Sequence, residues 1–286
     1  MIAVAGEFRF YGPDHWGALA GTIVGAAALA LAVRRAPAAH RPDGASGARH
    51  AARLAVVACG GFALLLALVE VGGQWIRVRT DTWALRHSLP LHLCDIASVL
   101  CMILLIATAR LLSRGAFGRV SDRTYADVPP AGFPQRLYET AYFWCLAGSV
   151  QALLTPELHF GFPRWEYLEF FVGHGAQVAA VLGLTLGLRV RPQRGSVWRT
   201  WMLTVALGVA MLPINALLGS NYMYVCGAPE RSSLIDYLGP WPWSLAGLAA
   251  IGAVLLSACY APFAWLDRRA ARPRVVSNKP APRENT

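Results

Sequence analysis

Seven nearly unbroken apolar stretches divide the chain, at residues 16–33, 54–71, 89–109, 137–154, 167–188, 200–218 and 243–265. Each is close to the roughly 20 helical residues that cross a bilayer core. Period-two alternation is absent, and lipid leaves no backbone polar group unsatisfied, so the stretches read as helices. The pattern predicts an all-α polytopic bundle of about seven transmembrane helices. The expected organisation is an outer N-terminal segment at 1–15, a membrane domain at 16–265 and a basic, disordered cytoplasmic tail at 266–286. Met1–Phe10 lacks the basic region and small-residue cleavage site of a secretory leader.

Composition agrees. Of 286 residues 56% are hydrophobic and only 15% charged, against about 25% charged in a soluble domain. The net charge of +10 suggests nucleic acid until its placement is read. Of the 26 Lys and Arg, 20 lie in loops 34–53, 110–136, 189–199 and the tail. This alternation follows the positive-inside rule and places the N-terminus outside and the C-terminus in the cytoplasm. The expected location is the plasma or inner membrane, with membrane lipids as partners and no nucleic acid. Cys59, Cys101, Cys145 and Cys259 fall within apolar spans, where free Cys behaves as a small hydrophobe. Gly17, Gly21 and Gly25 form a small-residue stripe for helix approach.

The third span breaks the apolar pattern at its start. Leu89-Pro-Leu-His-Leu-Cys-Asp95 sets His92, Cys94 and Asp95 within four residues, in a setting where ionisable groups are costly and mark functional sites. Ser88 is the expected N-cap, with Pro90 in the first turn. At 1.5 Å per residue, Cys94 lies about 8 Å deep and His174 of the fifth span about 10 Å deep. Gln151 and Asn215 lie about 6 Å deep by the same rise. Glu70 is expected at the outer end of the second span. Five helices thus offer polar groups at one shallow outer level, and a common pocket is expected there.

Three chemistries fit this set. Cys94 could act as a nucleophile with His174 as base, since His92 and Cys94 are about 200° apart on a regular helix. Asp95 or Glu70 would orient the base, and Gln151, Asn215, Asn221 and Tyr222 would bind substrate or oxyanion. His92, Asp95 and His174, with His159 or Glu70, could instead hold a metal, although no HExxH or HxxxH spacing is present. No cofactor or resident metal is expected on balance. The third possibility is a transporter or binding pocket without covalent chemistry. Beside these stands a purely structural reading, with Cys94 a small core residue and the polar layer ordering the bundle.

Several motifs carry a family resemblance. LPLHLCDI at 89–96, Gly148 with QALLTP at 151–156, FFVGH at 170–174, Asn215, GSNYMY at 219–224 and DYLGPWPW at 236–243 resemble the YwaF-like bacterial integral membrane proteins over roughly residues 60–265. That family is similar, at a distance, to a eukaryotic transmembrane acyltransferase of ether phospholipids that uses a Cys near the start of a span and a partner His. The resemblance implies an acyl-carrying Cys94, with His174 or His92 as base and an acyl chain or phospholipid as substrate. Oligomeric state is not indicated.

Overall fold

A computed structural model describes residues 7–36, 46–115, 132–228 and 234–270. Residues 1–6 of the expected N-terminal segment, most of loop 110–136 and residues 271–286 of the expected tail lie outside these. Within them the chain is helical, with one isolated antiparallel bridge between Glu7 and Phe160. The helices are α1 (Pro13–Arg35), α2 (Ser46–Arg79), the short α3 (Leu85–Ser88), α4 (Leu93–Ser113), α5 (Gln135–Trp144), α6 (Val150–Leu154), α7 (Trp165–Leu188), α8 (Ser196–Leu218) and α9 (Trp243–Ala270). A π turn, Cys145–Ser149, joins α5 to α6. Among the described residues six helices (α1, α2, α4, α7, α8 and α9) are long and apolar enough to cross a membrane. The seventh expected span, 137–154, is the helical run formed by α5, the π turn and α6.

The hub is α7, which packs against α1, α2 and α4 and is buried along most of its length. Its glycines allow this. A Cβ at Gly183 would meet Leu29 at 2.8 Å, and one at Gly187 would meet Val33 at 2.2 Å. The stripe on α1 does less than expected, since only Gly25 touches a neighbour, while Gly17 and Gly21 face open space. Leu104, Leu105, Tyr138, Phe143, Leu184 and Leu188 form the centre of the core.

Helix boundaries differ from the expectation where local chemistry competes with hydropathy. Helix α4 begins at Leu93, not Leu89. Pro90 holds Leu89 extended (φ −70°, ψ 142°), and His92 is the N-cap. Ser88 instead ends α3, where its hydroxyl accepts the Ala84 N–H at 3.0 Å. Helix α2 runs through Gly72 and Gly73 to Arg79, because these glycines receive Trp165 and Glu169 of α7. Glu70 therefore lies nine residues, about 13 Å, inside the helix end rather than at it. Helix α9 continues past Trp265 to Ala270, so the expected tail begins helically.

Residues 80–92, 155–164, 219–228 and 234–242 share one face, termed outer from the charge pattern. Phe8 N–H donates to His159 C=O at 3.0 Å and ties the N-terminal segment to it. At the opposite end Glu139 is buried, bonded to Arg199 at 2.9 Å and to Gln135 at 3.0 Å. Arg191 pairs with Asp267 there.

Candidate functional site

The start of α4 organises the site. The Asp95 carboxylate accepts the His92 backbone N–H at 3.0 Å, which is half of a capping box. Its other oxygen accepts the Cys94 thiol at 3.6 Å. Cys94 is the second helical residue, within the turn whose N–H groups lack intrahelical partners. The thiol thus sits in the first turn of α4, with its hydrogen directed at the Asp95 carboxylate. Cys94 and Asp95 are half-buried.

Below them a relay crosses four helices. Gln177 of α7 donates to the Cys94 carbonyl at 3.1 Å and to Ser98 Oγ at 2.7 Å. Ser149 of the π turn donates to Gln177 Oε1 at 2.6 Å. Glu70 of α2 lies beside Ser98, and its charge interacts with Asp95, Glu169 and Arg77. Arg77 and Glu169 pair at 2.8 Å. The relay fixes α4 against α7 at the level of Cys94. It holds Gln177, which the sequence spacing puts on the same helix face as His174, and Ser98 and Ser149, which do not stand out in the sequence because a Ser in a span is compatible with any helix interface.

His174 lies three residues nearer the outer face than Gln177, about 4.5 Å by helical rise. Its Nδ1 is 2.8 Å from the Phe170 carbonyl. A carbonyl only accepts, so Nδ1 carries the hydrogen and Nε2 presents a lone pair. Among the described residues Nε2 has no hydrogen-bond partner. The charge of Asp95 reaches His174. No described hydrogen bond joins His174 to Cys94.

His92 has the opposite arrangement. Its Nδ1 faces the Met223 N–H at 3.4 Å, and an N–H only donates. Nδ1 is therefore the lone-pair nitrogen, and in the neutral ring the hydrogen is on Nε2. The ring packs 5.3 Å from Tyr222 and 5.3 Å from Tyr224. Burial, with the nearby negative charges of Glu157, Cys94 and Asp95, raises the Tyr224 hydroxyl above its ordinary pKa. Tyr224 thus belongs to the site. The sequence carried no signal for it beyond the GSNYMY motif, since a loop tyrosine usually reads as an interfacial anchor.

The other expected ligands serve the loop. Asn215 is buried; its Oδ1 accepts from Tyr222 N–H at 2.8 Å and Ser220 Oγ at 2.8 Å, and its Nδ2 donates to the Tyr222 carbonyl at 3.0 Å. Asn221 bridges Cys226 and Gly227. The buried Tyr222 donates to the Leu85 carbonyl at 2.6 Å and accepts the Leu89 N–H at 2.9 Å. Gln151 is exposed, with its carbonyl engaged by Thr155. Among the described residues no three His, Cys, Asp or Glu side chains are placed to hold a metal, and His159 lies in the loop that meets Phe8.

The model of the TMEM164 family matches residues 10–260. That range runs from before α1 to within α9 and includes every residue of the site. No curated protein and no solved structure matches the chain. The chain belongs to the TMEM164 family and is a multi-pass integral membrane protein.

Proposed function

We propose that this member of the family is a lipid-directed acyltransferase of the plasma or inner membrane. It works from the outer leaflet, with Cys94 as the acyl-carrying nucleophile and His174 as base. Within the family we place it beside the YwaF-like bacterial proteins. The observation that carries the reading is the half-buried Cys94 thiol in the first turn of α4, held by Asp95, whose charge also reaches an imidazole with an open Nε2.

The chemistry runs in two halves. His174 Nε2 takes the thiol proton, directly or through one water, as the reacting complex tightens. Sγ bonds to the carbonyl carbon of an acyl ester, the ester C–O bond breaks, and the imidazolium returns its proton to the departing alkoxide. This leaves a lysolipid and a thioester on Cys94. In the second half an acceptor hydroxyl gives its proton to His174 and attacks the thioester; the C–S bond breaks and Sγ regains the proton. Asp95 orients the thiol and offsets the imidazolium charge. Asn215, Asn221 and Tyr222 hold the outer loop in place, and Glu70 steadies the relay beneath.

The test uses purified protein in nanodiscs of phosphatidylcholine with a tagged acyl chain. A hydroxylamine-labile tag should appear on wild-type protein and be absent from Cys94→Ala. An untagged wild type, together with unchanged lipid binding by Cys94→Ser, would favour a non-catalytic binding protein or transporter.

A further inference from the structure

The outer loop holds an uncommon backbone. Met223 and Tyr224 are consecutive non-glycine residues in the left-handed region, at φ 60° and 55°. Such backbone is strained for residues with a Cβ and persists only where its surroundings over-determine it. Here they do. Asn215 grips Tyr222 through both its N–H and its carbonyl, and the Tyr222 hydroxyl ties the loop to Leu85 and Leu89. The result is specific to one place. The Met223 N–H lands on His92 Nδ1, and the Tyr224 ring lies against the His92 ring with its hydroxyl within electrostatic reach of Cys94 and Asp95.

The Met223 contact leaves the His92 hydrogen on Nε2, where no described residue accepts it. His92 is thus a donor, two residues from the nucleophile, while His174 is an acceptor. We propose that His92 Nε2–H and the Tyr224 hydroxyl form an oxyanion-binding pair beside Cys94, whose ligand is the carbonyl oxygen of an acyl ester. The inference rests on the acyl-transfer reading above. As Sγ bonds to the carbonyl carbon, the C=O π pair moves onto oxygen. The two donors hold that oxyanion until the pair returns and the ester C–O bond breaks. Proton transfer then belongs to His174 alone.

The test keeps the full chain in tagged-lipid nanodiscs, with Cys94 as its one remaining cysteine. It measures two rates on each variant. Alkylation by iodoacetamide needs the thiolate and no oxyanion site. Thioester formation needs both. Tyr224→Phe and His92→Ala should each slow thioester formation about 10²–10³-fold while alkylation stays within about twofold of wild type. His92→Gln, which keeps an N–H donor, should recover most of the loss. His174→Ala should lose both rates. If Tyr224→Phe and His92→Ala form the thioester at the wild-type rate, the pairing is wrong. It is equally wrong if alkylation falls in step with thioester formation in both His92 variants. Should His92→Ala fail to fold, Tyr224→Phe decides alone. A wild type that forms no thioester removes the acyl-transfer reading itself, and the pair with it.

Discussion

At the inner end of the bundle Glu139 is buried and held by Arg199 and Gln135, and Arg191 is held by Asp267. At the outer end His92 and His174 each keep one ring nitrogen without a hydrogen-bond partner among the described residues. His15 shows what a structural histidine looks like in the same protein. It is buried, with Nε2 at 2.7 Å from the Leu153 carbonyl and Nδ1 at 3.0 Å from the Tyr11 N–H. Buried polar groups are normally hydrogen-bonded because leaving them unpaired costs about 1–3 kcal/mol. At the inner end the carboxylates of Glu139 and Asp267 obey that pressure, although Gln135 Oε1, Ser196 Oγ and Arg199 Nε have no partner among the described residues. In the outer layer the same pressure is relieved by partial exposure, so the groups stay open to something that arrives. The contrast separates polar groups that hold helices together from polar groups that await a partner.

The largest expected effect bears on this contrast directly. Cys94→Ala should abolish the hydroxylamine-labile acyl label while shifting the unfolding midpoint by no more than a few degrees, as expected for about 1 kcal/mol or less. A large loss of stability would mean that the outer cysteine is a packing residue after all. Glu139→Gln should do the reverse. Breaking a buried ion pair costs about 3–5 kcal/mol, and the partial exposure of Arg199 (38%) reduces this to about 2–3 kcal/mol. Thermal unfolding in nanodiscs measures it, and acyl labelling per folded molecule should stay within about twofold. Labelling that collapses in the folded variant would erase the distinction between the two ends.

Asn215→Ala sharpens the comparison within the outer end. It removes three hydrogen bonds that hold the loop, with a cost of about 1–3 kcal/mol. Hydrogen exchange at residues 219–227 should speed up more than exchange in α7. Uniform acceleration across the bundle would show that the clamp supports the whole fold rather than the loop. The smallest effect is expected from Gly73→Ala. The new Cβ would meet Glu169 Oε1 at 2.0 Å and push that flexible, partly exposed carboxylate off Arg77. Such a pair contributes about 1 kcal/mol or less, so a stability loss above about 2 kcal/mol would reveal a backbone shift between α2 and α7.

The membrane helices were legible because hydropathy over 20 residues is a local property that tertiary contacts seldom override. Helical rise from the wrong helix ends misjudges the depths of Glu70 and Cys94, although Glu70, Asp95 and His174 do lie within electrostatic reach of one another. The errors lie where a side chain or a neighbouring helix decides the backbone. Ser88 and Pro90 satisfy every rule for a helix start, yet His92 takes the cap because Asp95 reaches back to its N–H. Gly72-Gly73 resembles a helix end, yet α7 supplies Trp165 and Glu169 to cover it. Asn215 reads as a ligand because polarity in a span draws attention; in the folded chain its hydrogen bonds, and those of the loop residue Tyr222, are turned into the loop. Nothing local marks Met223 and Tyr224 as left-handed, since a glycine would be the expected residue at either position.

The π turn at Cys145–Ser149 has a consequence for comparing relatives. It carries one residue more than the α turn it replaces. Residues 150–154 are therefore rotated by about 100° from where an unbroken helix from Gln135 would put them. The surplus residue lets Trp144 reach Thr204 at 2.8 Å and Ser149 reach Gln177 at 2.6 Å from a single helical run. A relative with a one-residue gap here would have lost the phase offset, and with it the means of meeting both partners. In an alignment, the length of this short segment is thus a marker of the Ser149–Gln177 link, readable even where no residue in it is identical.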